Sequence, residues 1–278
     1  MKKIFAYDLD GTLLTHEGVA HPETLKALKL IKEKGHINVI ATGRGLMHIL
    51  PLFETNAVDN IDYLICSNGA LIYNMHTKTY QVISSLSPDV FEIILDKFKK
   101  YSSILRIDSI DKNQTLLPNG KVPSWLTESK VTDKNFTNAV TEEQIRQQVF
   151  DPNSVITQIA LRNTFSDAKK VSNELAHELR NHDCEVYLTN SVYTDVNGKN
   201  SSKFNALKVL AKELDIDIKN TVAFGDSGND VQMLKGAGIG VAMGNATPEA
   251  KEVAVITIGH HNTGAIGEYL IELLNKMS

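Results

Sequence analysis

The chain has 278 residues, a formal net charge of -4 and a pI near 6.1, with 42% hydrophobic and 22% charged residues. This length permits a large α/β domain or a core with an inserted second domain, and the acidic balance argues against nucleic acid or an anionic membrane as a partner. The first apolar run ends at Asp8, too early for a signal peptide or a membrane span, so we expect a cytoplasmic protein.

Strand and helix patterns alternate over the first part of the chain. The predicted elements are a strand at 4–9, a helix at 22–34, a strand at 38–41, a helix at 45–55, a strand at 63–66 and a hairpin of 70–73 with 80–83. Short apolar strands separated by helices indicate a mostly parallel sheet that is covered on both faces.

The pattern changes between residues 84 and 190 and changes back from residue 201. The predicted elements here are helices at 88–101 and 166–181, strands at 103–107, 156–161 and 184–188, a helix to about 214, a strand at 221–224, a short helix after Asn229, a strand at 239–242, and a closing helix. We therefore predict an α/β core made of residues 1–83 and 191–278. An α+β domain at 84–190, with one open antiparallel sheet backed by helices, interrupts this core.

Two acidic segments follow predicted strands of the core. Asp8 and Asp10 lead into a turn at Gly11, and Gly-Asp-Ser-Gly-Asn-Asp at 225–230 follows another strand. Carboxylates at the mouth of a buried strand cost free energy unless something binds them. Since ligands bind outside the carboxyl ends of strands in open α/β sheets, both segments are expected at one site. Their oxygens match a hard divalent cation such as Mg²⁺.

Two further strand ends and one helix start carry groups that suit a phosphoryl anion. Thr-Gly-Arg at 42–44 and Ser-Asn-Gly at 67–69 offer hydroxyls, backbone amides and a guanidinium. Lys203 follows Ser201 and Ser202, which are typical N-cap residues, so its ammonium lies where the helix dipole disfavours a cation. Pairing with an aspartate and a bound phosphate would compensate for that position.

Each short motif also has a plain structural interpretation. Residues 42–44 fit a strand-to-helix turn, Lys203 fits a solvated helix residue, Asn68 fits an Asx turn, and Asp230 suits the start of a helix. The order of the motifs along the chain favours the catalytic interpretation over these separate ones.

Taken in order, the motifs resemble those of the haloacid dehalogenase superfamily of phosphatases. The matching segments are DLDGTLL at 8–14, TGR at 42–44, Lys203 and GDSGND at 225–230. The large insert, together with SNGA at 67–70 and VAMGNA at 241–246, resembles the Cof-type sugar-phosphatase branch. The resemblance implies an α/β fold with a Rossmann-like, mostly parallel sheet core and an inserted α+β cap domain.

The resemblance also implies roles for individual residues. Asp8 would be the nucleophile that forms an aspartyl-phosphate, and Asp10 would be the general acid toward the leaving alcohol and then the base toward water. Mg²⁺ would be held by Asp8, the main-chain oxygen of Asp10 and Asp226, with Asp230 in support. Contacts to phosphate and substrate would come from Thr42, Gly43, Arg44, Asn68, Lys203 and Asn229.

These expectations favour a Mg²⁺-dependent phosphomonoesterase that acts on small phosphorylated metabolites such as sugar phosphates, with the insert as a cap that excludes water and selects the leaving group. A phosphomutase on the same scaffold, a phosphoacceptor signalling domain and a non-catalytic sugar-phosphate sensor stay open as alternatives. Signalling receivers are about half as long and need no such insert. The physiological substrate and the oligomeric state do not follow from the sequence.

Overall fold

Two sheets organise the chain, whose computed structural model describes residues 1–128 and 138–277. The first unit comprises Met1–Arg44, Ile49–Ile83 and Ser202–Ser278, and the second comprises Gly45–His48 and Ser84–Ser201. One unit is a mostly parallel α/β structure and the other is α+β, so the predicted fold class is confirmed.

The helices and strands alternate in the first unit and again after the insert. In chain order they are β1 (Ile4–Tyr7), α1 (Pro22–Glu33), β2 (Ile37–Ala41), α2 (Leu46–Glu54), β3 (Tyr63–Cys66), β4 (Leu71–Asn74), β5 (Tyr80–Val82), α3 (Phe91–Tyr101), β6 (Ile104–Ser109), β7 (Asn113–Leu116), α4 (Ser124–Glu128), β8 (Ala139–Val140), α5 (Glu142–Phe150), β9 (Ile156–Arg162), α6 (Ala168–Glu178), β10 (Cys184–Thr189), β11 (Tyr193–Gly198), α7 (Lys203–Glu213), β12 (Thr221–Gly225), α8 (Val231–Gly236), β13 (Ile239–Ala242), α9 (Pro248–Val253), β14 (Ile256–Thr257) and α10 (Ala265–Met277).

The sheet of the first unit has eight strands in the order β14-β13-β12-β1-β2-β3-β4-β5. It is parallel from β14 to β3, and β4 and β5 form the antiparallel hairpin that the sequence predicts. The four residues of β1 are all fully buried at 0% exposure, which is why the strand is a continuous apolar run. Apolar side chains of α7, among them Leu207 and Leu210, pack against this sheet.

The sheet of the second unit has six strands in the order β10-β11-β9-β6-β7-β8, antiparallel except where β8 joins β7. Leu105, Ile107, Ile159 and Leu161 lie on one face and share a core with apolar residues of α3 and α6. On β6 and β9 these residues alternate with others that face the opposite side, which is the pattern of an open sheet backed by helices on one face.

The insert continues past residue 190, where the sequence pattern places its end. Strand β11 pairs with both β9 and β10 and therefore belongs to the second sheet. Its sequence, Tyr-Thr-Asp-Val-Asn-Gly, has Val196 as its one aliphatic residue, so hydrophobic periodicity does not mark it as a strand.

Within the described part of the chain, no helix has the length and apolar character that a membrane span requires.

Candidate active site

Four loops open at one edge of the first sheet, at the carboxyl ends of β1, β2, β3 and β12. Parallel pairing of β1 with β2 and β12, and of β2 with β3, fixes this arrangement. The loops begin at Asp8, Thr42, Ser67 and Asp226. The structure thus brings together the four strand ends that carry the candidate motifs.

Lys203 lies between two aspartates. Its Nζ donates to Asp8 Oδ1 at 2.5 Å and to Asp230 Oδ1 at 2.7 Å, and its side chain is fully buried. Lys203 begins α7, whose N-cap Ser202 accepts from the backbone N–H of Asn205 at 3.0 Å. Burial alone would lower the pKa of Lys203, but Asp230 and Asp8 together raise it, so this residue stays a cation. The two carboxylates therefore stabilise an ammonium that the helix N-terminus disfavours.

Asp230 orients the acidic loop that follows β12. The backbone N–H groups of Asp226 and Ser227 each donate to Asp230 Oδ2 at 3.0 Å, while Oδ1 is bonded to Lys203. Both oxygens of this buried carboxylate therefore have protein donors. This leaves Asp8 and Asp226 as the carboxylates better placed to bind a cation.

Asp226 lies against the loop that follows β1. Thr12 Oγ1 donates to Asp226 Oδ1 at 2.9 Å. Gly11 has φ of +81°, and a Cβ on it would lie 2.6 Å from Asp226 Oδ2, so both the backbone conformation and the close approach require glycine. The sequence motifs assign no role to Thr12, although its position directly after the Asp-Leu-Asp-Gly turn is a signal for one.

The buried acids of this site carry more negative charge than the protein neutralises. Asp8, Asp226 and Asp230 each offer an oxygen within 4.8 Å of the others, and Lys203 balances only one of the three charges. Burial and the charge of Asp230 raise the pKa of Asp226 to about 6. Burial and Asp230 also raise the pKa of Asp8 well above its ordinary value, despite Lys203. A divalent cation with oxygen ligands, such as Mg²⁺, fits this donor set and its charge.

Asp10 is held by Arg44 rather than by the acidic cluster. Arg44 Nε donates to Asp10 Oδ2 at 2.8 Å and Nη2 donates to Asp10 Oδ1 at 2.5 Å, which is the bidentate geometry of a strong pair. About a third of each side chain is exposed. The sequence predicts a contact between Arg44 and substrate, and no sequence signal predicts this pairing with Asp10. The three carboxylates that converge do not include the side chain of Asp10.

The remaining predicted phosphate contacts join three of the loops. The backbone N–H of Asn68 donates to the carbonyl of Thr42 at 3.0 Å, and Thr42 Oγ1 accepts from the N–H of Arg44 at 3.1 Å. Asn229 Nδ2 donates to Asn68 Oδ1 at 2.9 Å. Gly43 lies between Thr42 and Arg44 in the same loop. These bonds bring the predicted phosphate contacts together at one edge of the sheet.

The loop after β3 packs closely against the start of α7. Asn68 and Gly69 both have left-handed backbones, with φ of 54° and 99°. A Cβ on Gly69 would lie 2.2 Å from the backbone oxygen of Ser202. Gly69 is therefore the residue that permits this loop to reach the helix turn from which Lys203 extends.

Comparison with known proteins finds relatives over nearly the whole chain. A family model described as haloacid dehalogenase-like hydrolase matches residues 5–270. The pyridoxal phosphate phosphatase YbhA of Escherichia coli (strain K12) is 30% identical over 273 residues, which cover 96% of this chain and 97% of YbhA. The 5-amino-6-(5-phospho-D-ribitylamino)uracil phosphatase YcsE of Bacillus subtilis (strain 168) is 31% identical over 255 residues, which cover 91% of this chain and 88% of YcsE.

The fold is also found among solved structures. The HAD subclass IIB sugar phosphatase BT4131 superposes with a TM-score of 0.79 over 98% of both chains, at 22% sequence identity. A likeness at this identity speaks for the fold rather than for the substrate.

Proposed function

The chain belongs to the haloacid dehalogenase-like hydrolases, and on that basis we propose that it is a phosphatase that hydrolyses small phosphorylated metabolites through an aspartyl-phosphate on Asp8. The proposal rests on one observation: Asp8, Asp226 and Asp230 converge around the buried ammonium of Lys203 and leave two negative charges unbalanced. Such a site attracts a divalent cation and places a carboxylate nucleophile beside it.

In the proposed first step, an oxygen of Asp8 attacks the phosphorus of the ester. A bond from phosphorus to Asp8 forms, the bond to the ester oxygen breaks, and Asp10 gives a proton to the leaving alcohol. In the second step, water attacks the same phosphorus, Asp10 accepts a proton from that water, and Asp8 is released as a carboxylate. The balanced result is an alcohol and inorganic phosphate.

Several residues position the transferring group in this proposal. Lys203 stays cationic and is already bonded to Asp8, so its charge is available to the phosphoryl oxygens as they approach. Thr42 and Asn229 are buried at the same sheet edge, and their hydroxyl and amide groups can contact those oxygens.

Mg²⁺ would be held by Asp8 and Asp226, with the main-chain oxygen of Asp10 as a further ligand and Asp230 in support. When bound, the ion offsets the charge of the carboxylates and of the phosphoryl group, so that one anion can approach another. Asp230 acts here through its bonds to Lys203 and to the backbone of Asp226.

The proposed acid–base role requires Asp10 to be partly released from Arg44. Both Asp10 oxygens accept from Arg44 in the structure, and a carboxylate bound in this way has no oxygen free to exchange a proton with an alcohol. A phosphoryl group is also a bidentate acceptor for a guanidinium. We therefore assign Arg44 two partners, Asp10 before the substrate binds and the phosphate ester afterwards.

The relatives support a small phosphorylated metabolite as the substrate. YbhA is a pyridoxal phosphate phosphatase, and YcsE is a 5-amino-6-(5-phospho-D-ribitylamino)uracil phosphatase. Sugar phosphates belong to the same broad class of small phosphate monoesters. In this proposal the second unit serves as the cap that selects among them.

A phosphate-release assay with a panel of phosphorylated metabolites, with and without Mg²⁺, tests the function. We expect Mg²⁺-dependent release by the wild type, none by Asp8→Asn, and a normal rate from Asp96→Asn, which changes an exposed aspartate of α3. Appreciable turnover by pure Asp8→Asn would contradict the role of Asp8. An isomerised ester instead of phosphate would identify a mutase, and binding without release would identify a sensor.

A further inference from the structure

The loop at residues 243–247, between β13 and α9, contacts both acidic loops of the candidate site. The backbone N–H of Thr247 donates to the carbonyl of Asp226 at 2.8 Å, and the N–H of Met243 donates to the carbonyl of Gly225 at 3.1 Å. From the same loop, Asn245 Nδ2 donates to the carbonyl of Gly11 at 2.8 Å. This loop therefore connects the turn after β1 to the loop after β12.

The amide of Asn245 is fixed from its other side. Asn245 Oδ1 accepts from the backbone N–H of His261 at 3.0 Å, so the amide nitrogen is the end that faces Gly11. The His261 ring is tied to the same turn, since its Nδ1 lies 2.7 Å from the carbonyl of Leu14, which can only accept. Asn245 thus has one available orientation, and in it the donor meets Gly11.

The position of Gly11 matters for the cation site, because Gly11 is in contact with Asp226. A Cβ on Gly11 would lie 2.6 Å from Asp226 Oδ2, and the next residue, Thr12, donates to Asp226 Oδ1. A shift of the turn would therefore change where the Asp226 carboxylate lies relative to Asp8. The VAMGNA segment at 241–246 contains Asn245, but neither that motif nor the proposed chemistry assigns this residue a role.

We propose that Asn245 is a positioning residue, whose hydrogen bond to Gly11 fixes the place of the turn after β1 against Asp226. With the turn in this place, the carboxylates of Asp8 and Asp226 converge on Mg²⁺. The inference rests on the proposed function, because it assumes that these carboxylates bind the ion. Asn245 touches neither the ion nor the substrate in this assignment. Its effect passes through the Gly11 backbone.

Calorimetric titration of the full-length protein with MgCl₂ alone tests the proposal without relying on turnover. We expect Asn245→Ala to bind Mg²⁺ about fivefold to tenfold more weakly, which is the effect of losing about one neutral hydrogen bond. Asn262→Ala is the matched control, because Asn262 accepts from the N–H of His16, further along the same segment, and should leave Mg²⁺ affinity unchanged.

The Asn245→Asp variant distinguishes the effect of losing the hydrogen bond to Gly11 from the effect of adding a negative charge. It keeps an acceptor for His261 and replaces the donor that faces Gly11 with an oxygen. An added carboxylate by itself would strengthen Mg²⁺ binding. If Asn245→Asp also binds Mg²⁺ more weakly than the wild type, the lost hydrogen bond to Gly11 is therefore the cause. Equal affinity for Mg²⁺ in wild type and Asn245→Ala would overturn the inference. Failure of the wild type to bind Mg²⁺ would overturn the proposed function as well.

Discussion

At the scale of single residues, the charge balance of four side chains determines what the site can bind. Asp8, Asp226 and Asp230 contribute three negative charges, and Lys203, buried among them, contributes one positive charge. Breaking one of its pairs would leave an uncompensated charge in a buried place, which is much more costly than losing an exposed ion pair.

We expect Lys203→Met to lower the free energy of unfolding by about 3–5 kcal/mol and to remove most of the phosphatase activity, because Asp8 and Asp230 would then face each other without a cation. Urea unfolding in EDTA measures the first effect. Lys208→Met, an exposed position on the same helix, is the control. Equal unfolding midpoints for the two variants would show that the Lys203 pairs contribute little to stability.

Much of the candidate site could be predicted from the sequence because its residues stand directly after apolar strands. Asp8 and Asp226 lie at such strand ends, and the structure brings them together as expected. Contacts that depend on the fold could not be predicted in this way. The pairing of Asp10 with Arg44 and the bond from Asn245 to Gly11 join residues 34 and 234 positions apart, and no local pattern specifies either contact.

At the scale of elements, the approach of the loop after β3 to α7 controls the position of Lys203. Gly69 provides both the left-handed backbone and the space that this approach needs. The chain also contains a natural comparison, since Gly35 has φ of +78° but no atom of a residue beyond its chain neighbours within 4 Å of the place where a Cβ would stand.

We expect Gly69→Ala to lower the free energy of unfolding well beyond the roughly 1–2 kcal/mol of left-handed strain alone. We expect it also to reduce the phosphatase rate on the order of 100-fold, because a displacement of about 1 Å at a catalytic group has an effect of that size. Gly35→Ala should show only the strain and a normal rate. Identical behaviour of the two variants in urea unfolding and in the rate assay would contradict this account of Gly69.

The elements themselves were predictable where they are apolar and periodic. Strands β1, β2 and β12 are buried runs that the sequence identifies within about two residues. The polar strands β7 and β11 were missed because their hydrophobic alternation is weak. Helix α5 was also missed, although its capping box of Thr141 and Gln144 was a signal that the sequence offered.

At the scale of the whole molecule, the acidic site makes folding depend on pH when no cation is present. The pKa of Asp226 is about 6 in the folded chain against an ordinary value of 3.8, because burial and Asp230 disfavour its charged form. Between these values the folded state binds more protons than the unfolded state. Asp226 therefore adds to the free energy of unfolding at low pH. This contribution is lost as the pH rises through about 6.

We expect the EDTA-treated wild type to lose more stability than Asp226→Asn between about pH 4 and about pH 6, and we expect saturating Mg²⁺ to raise the stability of the wild type most at the upper end of that range. Urea unfolding at a series of pH values, with and without Mg²⁺, measures both effects. Parallel curves of stability against pH for the wild type and Asp226→Asn would show that ionisation of Asp226 does not destabilise the folded state.

Acid quenching of the enzyme during turnover of a radiolabelled phosphate ester shows whether Asp8 accepts the phosphoryl group. In the Asp10→Asn variant the second step lacks its base, and a labelled aryl phosphate, whose leaving group departs without a proton, lets the first step proceed. With this ester we expect label to accumulate in the peptide that contains Asp8 and to be released by hydroxylamine. Wild-type turnover without label on Asp8 in either protein, or with label on another residue, would contradict the account.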